Sequence, residues 1–317
     1  MPHSTALEVT QVGPTFAAEV SGVDFSRLSS DETLNELKQI IAKYGVVSFR
    51  KAGPKTDDEL IAFGARFGEL DSIRPHKRAG RAMRIPQDEI FDISNLDHES
   101  KIVTTADAER TATAYGNALW HADGTFNPRR THLSMLRAVQ LPPAGTGGHT
   151  EYLDARAAYD DLSDEMKEKI KNLVACHSLL HNRKVANPDS PLFKDINPLD
   201  HPMGKHKVVQ HHDVTGRPVL FINSYAHHIE GMPLEEGQKL IRELFEHMQQ
   251  DKYKYVHYWR SPGDFVIWDN TGVLHRATIG NYQTKYVRDL RRVSTLDSGP
   301  AAYGMNDASK YWQQGLP

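Results

Sequence analysis

His121 and Asp123 are separated by one residue, and a second histidine, His275, lies far downstream. Side chains at i and i+2 leave an extended strand on the same side. A metal held jointly by His121 and Asp123 therefore calls for a strand at that point, and for a second strand that brings His275 alongside. Two imidazoles and one carboxylate cover one face of a ferrous ion and leave the opposite face open to reagents. On its residues alone the pattern reads as the site of an iron-dependent oxygenase. The same set can hold zinc and activate water, so a metal-dependent hydrolase is the alternative. A β-barrel that only binds ligands is the third reading.

The chain has 17 histidines, so His-x-Asp spacing also arises without function. His211-His212-Asp213 repeats it at the mouth of an expected turn, where an aspartate commonly supports the turn itself. His121 and Asp123 instead sit in Leu119-Trp120-His121-Ala122-Asp123-Gly124-Thr125-Phe126, which mixes large apolar residues with potential ligands. His177, His181, His211, His212, His227 and His228 are read as hydrogen-bonded structural histidines.

The rest of the chain supplies the strands that the site needs. Residues 7–23 alternate loosely and read as β. Ser29, with Glu32 as its capping-box partner, opens a helix whose stripe is Leu34, Leu37, Ile40, Ile41 and Tyr44, stopped by Gly45. Val46 to Phe49 reads as a buried strand. Thr56 caps a second helix through Leu60, Ile61, Phe63 and Phe67. Strands are expected over 132–141, 150–153, 253–259 and 265–268, and a hairpin over 208–223. Short helices are expected over 154–162 and 163–174, and an amphipathic helix over 234–248. Residues 182–206 are rich in Pro, Asp, Asn and Lys without periodicity, and an unstructured stretch of that length is often a functional loop. Several strands with few helices point to a mainly β fold with flanking helices, a barrel or jelly roll.

Composition narrows the function classes. With 317 residues and 39% hydrophobic content, the chain can bury a large core. The net charge of −3 gives no footprint for nucleic acid or a membrane surface. One cysteine, Cys176, excludes an internal disulfide and a cysteine-based zinc site. No apolar run approaches the ~18 residues of a membrane span, and the start lacks a signal-peptide pattern. A cytoplasmic protein is the expectation. The tail over 301–317, with Tyr303, Tyr311 and Trp312, is expected to dock on the barrel or on a second copy in a homo-oligomer.

Four motifs in order carry a resemblance: Trp120-His121-x-Asp123-x-x-Phe126, Gly147-Gly148-x-Thr150, Trp268-Asp269-Asn270 with His275, and Arg288-x-x-x-Arg292. The chain resembles the taurine/2,4-dichlorophenoxyacetate dioxygenase (TauD/TfdA) family of Fe(II)- and 2-oxoglutarate-dependent oxygenases over most of its length. Ile93 to Asp97, Cys176 to His181 and Arg288 to Arg292 look closer to its aryloxyacetate branch. The resemblance implies a double-stranded β-helix forming a single oxygenase domain over 1–317, with a substrate lid near 182–206. It implies His121, Asp123 and His275 as the iron ligands and catalytic centre. Arg288 would bind the distal carboxylate of 2-oxoglutarate, with Thr150 as its hydroxyl partner. Arg292 would hold the anionic group of the substrate, and Asn117 and Trp268 would line the same pocket. A guanidinium fork suits a carboxylate for physical reasons as well, since it binds both oxygens. Without the motif, Arg288, Arg291 and Arg292 would read as solvated surface arginines, and Arg291 keeps that reading.

The implied reaction couples oxidation of a small carboxylate substrate by O2 to conversion of 2-oxoglutarate into succinate and CO2. Hydroxylation, desaturation, cleavage and ring closure all fit, on an aryloxyacetate-like acid or an amino acid of secondary metabolism. The taurine branch carries a sulfonate-binding histidine just after its Phe-Gly-Glu-Leu segment. Here Phe67-Gly68-Glu69-Leu70 runs into Asp71 and Ser72, and His76 lies in a basic, loop-like context, which argues against taurine.

Overall fold

The computed structural model describes residues 7–25, 30–74, 83–310 and 312. Its strands are β1 (Glu8–Gln11), β2 (Ala18–Ser21), β3 (Val46–Phe49), β4 (Phe91–Ser94), β5 (Thr131–Gln140), β6 (Thr150–Asp154), β7 (Val174–His177), β8 (Gly204–Lys207), β9 (Val209–His211), β10 (Pro218–Leu220), β11 (Ala226–Ile229), β12 (Lys254–His257), β13 (Phe265–Asp269), β14 (Val273–Ala277) and β15 (Asp289–Leu296). Its helices are α1 (Asp31–Tyr44), α2 (Asp57–Gly64), α3 (Ala108–Asn117), α4 (Ala155–Asp160), α5 (Asp164–Ile170), α6 (Leu179–Ala186) and α7 (Leu234–Met248).

The large sheet runs β1-β2-β3-β13-β5-β15-β4, and β12-β6-β14 forms a smaller one. Val46, Leu136, Val266, Trp268 and Leu290 from the large sheet share one core with Tyr152 and Val273 from the small sheet. The two sheets thus close on each other as a jelly roll, the double-stranded β-helix expected from the sequence. Alternation along β13 shows why it is apolar throughout. Phe265 and Ile267 pack outward with α1 and α2, against Leu37, Leu60 and Phe63. Val266 and Trp268 point inward. A strand buried on both faces reads as a continuous apolar run. A further core seats α7, through Leu240, Ile241 and Leu244, against Leu220 and Ile229. Each large apolar side chain buried this way contributes roughly 1.5–3 kcal/mol.

Local signals place most elements, with instructive differences. The α1 cap is Ser30, whose side chain accepts from the Thr33 amide at 3.2 Å. Ser29 lies outside the described residues, and with the cap at Ser30 the third helical position is Thr33 rather than Glu32. Thr56 caps α2 as expected, but α2 ends at Gly64, before Phe67. The helix expected over 163–174 stops at Ile170, and Val174 already pairs in β7. The hairpin over 208–223 forms as β9 and β10.

The largest difference is at 182–206. This stretch contains the end of α6 and most of β8. α6 starts at Leu179, before the polar stretch, and buries Asn182 and Arg183 as well as Leu180. Its sequence therefore lacks an apolar stripe to read. The tail docks on its own chain: the Met305 amide donates to the Lys205 carbonyl at 2.8 Å, and Asn306 Nδ2 to the Pro128 carbonyl at 3.1 Å. Tyr311 lies outside the described residues. Among the described residues no helix is long and apolar enough to cross a membrane.

Candidate active site

The site begins with one pair of peptide groups. The His121 amide donates to the His275 carbonyl at 3.0 Å, and the His275 amide to the His121 carbonyl at 2.8 Å. This antiparallel bridge puts two directly opposed residues on one face, and the rings stand 4.2 Å apart. β14 carries His275 beside Tyr152 of β6, and the Trp268 ring lies 4.7 Å from it. Trp268 is thus a buried wall behind His275.

Asp123 reaches the same point by a different route from the one expected. His121 is a single bridge residue, not part of a strand, and the chain turns at once through Gly124. Gly124 has φ +69°, and an added Cβ would meet Thr131 Oγ1 at 2.5 Å, so the turn needs glycine there. In place of a ladder partner, the Asp123 amide donates to Asn270 Oδ1 at 3.0 Å. Ser134 Oγ donates to Asp123 Oδ2 at 2.8 Å, and Asn270 Nδ2 to Ser134 Oγ at 3.0 Å. Trp268 Nε1 also donates to Asn270 Oδ1, at 3.2 Å. A buried polar chain therefore orients the carboxylate.

One donor atom from each of His121, Asp123 and His275 lies within 4.8 Å of the others, the one such group of three among the described residues. His121 Nε2 is 3.9 Å from Asp123 Oδ1, and His275 Nε2 is 3.7 Å from Asp123 Oδ2. His121 Nδ1 lies 2.7 Å from the Leu119 carbonyl. A carbonyl only accepts, so Nδ1 carries the proton and Nε2 presents its lone pair inward. Burial lowers the pKa of both His121 and His275 and keeps them neutral. Burial alone would raise Asp123, but Arg292, then His275 and His121, outweigh it and hold the carboxyl well below the usual range. Two neutral imidazoles and an ionised carboxylate are the protonation states that a divalent cation needs. The residues fit a ferrous ion.

Arginines surround this group. Arg292 on β15 donates through Nη1 to both Asp123 oxygens, at 3.0 and 2.9 Å, and lies over the Phe91 ring. Arg288, one residue before β15, is buried and donates from Nε to the Gly148 carbonyl at 3.0 Å. Among the described residues no carboxylate pairs with it, and burial lowers its pKa. Gly148 has φ +82°, and an added Cβ would stand 3.0 Å from Arg288 Cδ and Nε, so this approach requires glycine. Thr150, two residues on, is buried, and its hydroxyl accepts from Trp259 Nε1 at 3.1 Å. A cavity of about 500 Å³ reaches Arg288 and Asn117 and is walled by Ile93, Tyr115 and Tyr282. The three metal-ligand candidates do not line it.

The competing pair is not a site. His211 and Asp213 are exposed, while His212 is buried and bonds Asp269 Oδ2 at 2.7 Å. Arg291 is not a solvated surface arginine either. It is half-buried and pairs with Asp289 and, at 3.5 Å, with Asp57. Two neighbours of the metal histidines had no signal in the sequence. Tyr225 lies with its ring 5.8 Å from His121, and Arg183 comes from α6. Asn270 stood within the Trp-Asp-Asn motif and could have been found there.

Comparisons agree with this geometry. The family model described as "Taurine catabolism dioxygenase TauD, TfdA family" matches residues 8–294. The chain is 36% identical over 285 residues to an alpha-ketoglutarate-dependent 2,4-dichlorophenoxyacetate dioxygenase of Burkholderia sp. (strain RASC), covering 89% of this chain and 92% of the relative. It is 28% identical over 313 residues to pentalenolactone F synthase of Streptomyces avermitilis, covering 94% and 97%. A crystal structure of AAD-2 in complex with Mn(II) and N-oxalylglycine superposes with a TM-score of 0.81 at 30% identity, covering 93% of this chain and 98% of that one. A match that reaches every strand of the jelly roll makes this chain a member of the TauD/TfdA dioxygenase family.

Proposed function

We propose that this 2-oxoglutarate-dependent dioxygenase oxidises one C–H bond of a small anionic acid, with the ferrous ion on His121, Asp123 and His275. The observation that carries the reading is Arg288, a buried guanidinium with no carboxylate beside it among the described residues. A buried charge without a counter-ion is costly, and the distal carboxylate of 2-oxoglutarate supplies one. A hydrolase would leave Arg288 without a role.

When bound, the ferrous ion supplies O2 activation: O2 takes two electrons from the cosubstrate, which leaves as succinate and CO2, and two from the substrate C–H bond. The chain's own residues bind and orient. Arg288 and the Thr150 hydroxyl hold the far end of 2-oxoglutarate. Ser134 and Asn270 keep the Asp123 carboxylate in place, and the Leu119 carbonyl fixes the His121 tautomer. Arg292, which in this structure pairs with Asp123, would hold the acidic group of the substrate. Trp268 and Tyr152 exclude water behind His275. The segment 182–206 serves as the lid, and Asn117 lines the substrate side.

Relatives named for 2,4-dichlorophenoxyacetate and (S)-phenoxypropionate favour an aryloxyalkanoate-like acid, with an amino acid as the other class. Mass spectrometry of the Fe(II)-loaded protein, given 2-oxoglutarate, O2 and a panel of both classes, tests this. A gain of one oxygen, a loss of two hydrogens, or cleavage into a phenol and an oxo acid, matched by succinate, is expected for one class. Succinate without any altered panel member would refute the substrate assignment.

A further inference from the structure

We infer that Arg183 is a second anion anchor in this site and that the substrate carries two acidic groups, one for Arg292 and one for Arg183. This rests on the reading of the site given above. Arg183 is buried, and among the described residues no Asp or Glu pairs with it. Nη1 donates to Asn182 Oδ1 at 2.6 Å and Nη2 to Asn117 Oδ1 at 3.4 Å, while Nε is buried without a partner. The Tyr225 ring meets His121 edge-on. The charge of Arg183 acts on His121, as does that of Arg292. Asn117, which accepts from Arg183, lines the same cavity as Arg288, so α6 brings the Arg183 guanidinium to the edge of the site while β15 brings Arg292 to Asp123.

The place is built to receive this side chain. A Cβ on Gly116 would fall 1.8 Å from Arg183 Nη1, so the next-to-last residue of α3 must be glycine for the guanidinium to lie against it. The end of α3 offers only partial negative charge, roughly half an elementary charge. Neutral amide oxygens add none. Three guanidiniums thus surround the site. Arg288 would take the cosubstrate, Arg292 is balanced by Asp123, and Arg183 has no acidic partner among the described residues. An arginine that only tied α6 to α3 would be better satisfied by a carboxylate at position 117 or 182.

The test uses Mn(II)-loaded protein with N-oxalylglycine in place of the cosubstrate. Calorimetry then compares the dicarboxylates adipate through sebacate, and carboxyphenoxyacetates, each with its monoamide. The wild type is expected to prefer at least one diacid by roughly tenfold to a hundredfold. Arg183→Gln should bring that diacid to the affinity of its monoamide while N-oxalylglycine still binds, and Arg183→Lys should restore part of the preference. A structural role would lower thermal stability and leave the diacid-to-monoamide ratio unchanged. No preference in the wild type, or a ratio that survives Arg183→Gln, overturns the inference. If Arg183→Gln does not fold, an undiminished ratio in Arg183→Lys overturns it. Failure of the wild type to bind N-oxalylglycine would instead remove the functional reading on which it stands.

Discussion

His121 and His275 are joined through their backbones before any metal is considered: each donates its amide to the other's carbonyl, at 3.0 and 2.8 Å. The ligand geometry is therefore a property of the fold. His121→Ala is expected to abolish tight Mn(II) binding without unfolding the protein, whereas His211→Ala leaves it intact. Ser134→Ala, which removes the donor to Asp123, should weaken binding roughly 10–100-fold. Calorimetric titration of each variant with Mn(II) checks this, and equal losses in His121→Ala and His211→Ala would sink the ligand assignment.

The proposed roles of the two arginines can be separated by their effects on cosubstrate and substrate binding. Arg288→Ala should weaken N-oxalylglycine binding to the Mn(II)-loaded protein roughly tenfold to a hundredfold. Arg292→Ala should keep it and lose substrate affinity. Gly148→Ala should resemble Arg288→Ala more weakly, since the methyl group would press on Arg288 from 3.0 Å. Loss of N-oxalylglycine binding in Arg292→Ala but not in Arg288→Ala would mean that the two roles are reversed.

Acid should destabilise the fold through buried neutral histidines. Burial pushes His177 down to about 3, and burial with neighbouring histidines pushes His181 down to about 4. An unfolded histidine titrates near 6.5, so below that pH the unfolded chain binds protons that the folded one does not. Stability is complete above about pH 6.5 and falls as pH drops towards 3, by about 1.4 kcal/mol per pH unit for His177. Urea denaturation across this window should show the slope, and His177→Gln should flatten it by about one proton. An unchanged slope in that variant would contradict the assignment.

Phe265 sits among Phe25, Phe49 and Phe63, with ring centroids 5.2, 5.8 and 6.1 Å away. Phe265→Ala should cost about 3–5 kcal/mol while leaving Mn(II) affinity of the folded protein unchanged. A stability loss below 1 kcal/mol, roughly the surface range, would show that this core is not close-packed.

What could be read from the sequence follows periodicity and local caps. β3, α7 and the Thr56 cap were visible because an apolar stripe or a short-range hydrogen bond defines each. The grouping of His121, Asp123 and His275 was visible in motif order, although the strand inferred at His121 is a lone bridge and a glycine turn. α6 was not visible, because tertiary packing makes a helix of a polar segment and buries Asn182 and Arg183 in it. Arg291 was misread because its partners, Asp57 and Asp289, include one far away in sequence.

The most direct test is succinate formation by the Fe(II)-loaded protein with 2-oxoglutarate and O2, in wild type, His121→Ala and Arg288→Ala. Succinate from wild type, none from His121→Ala, and recovery in Arg288→Ala only at much higher 2-oxoglutarate is the predicted result. Undiminished succinate in His121→Ala, or none from wild type with iron demonstrably bound, would contradict the account.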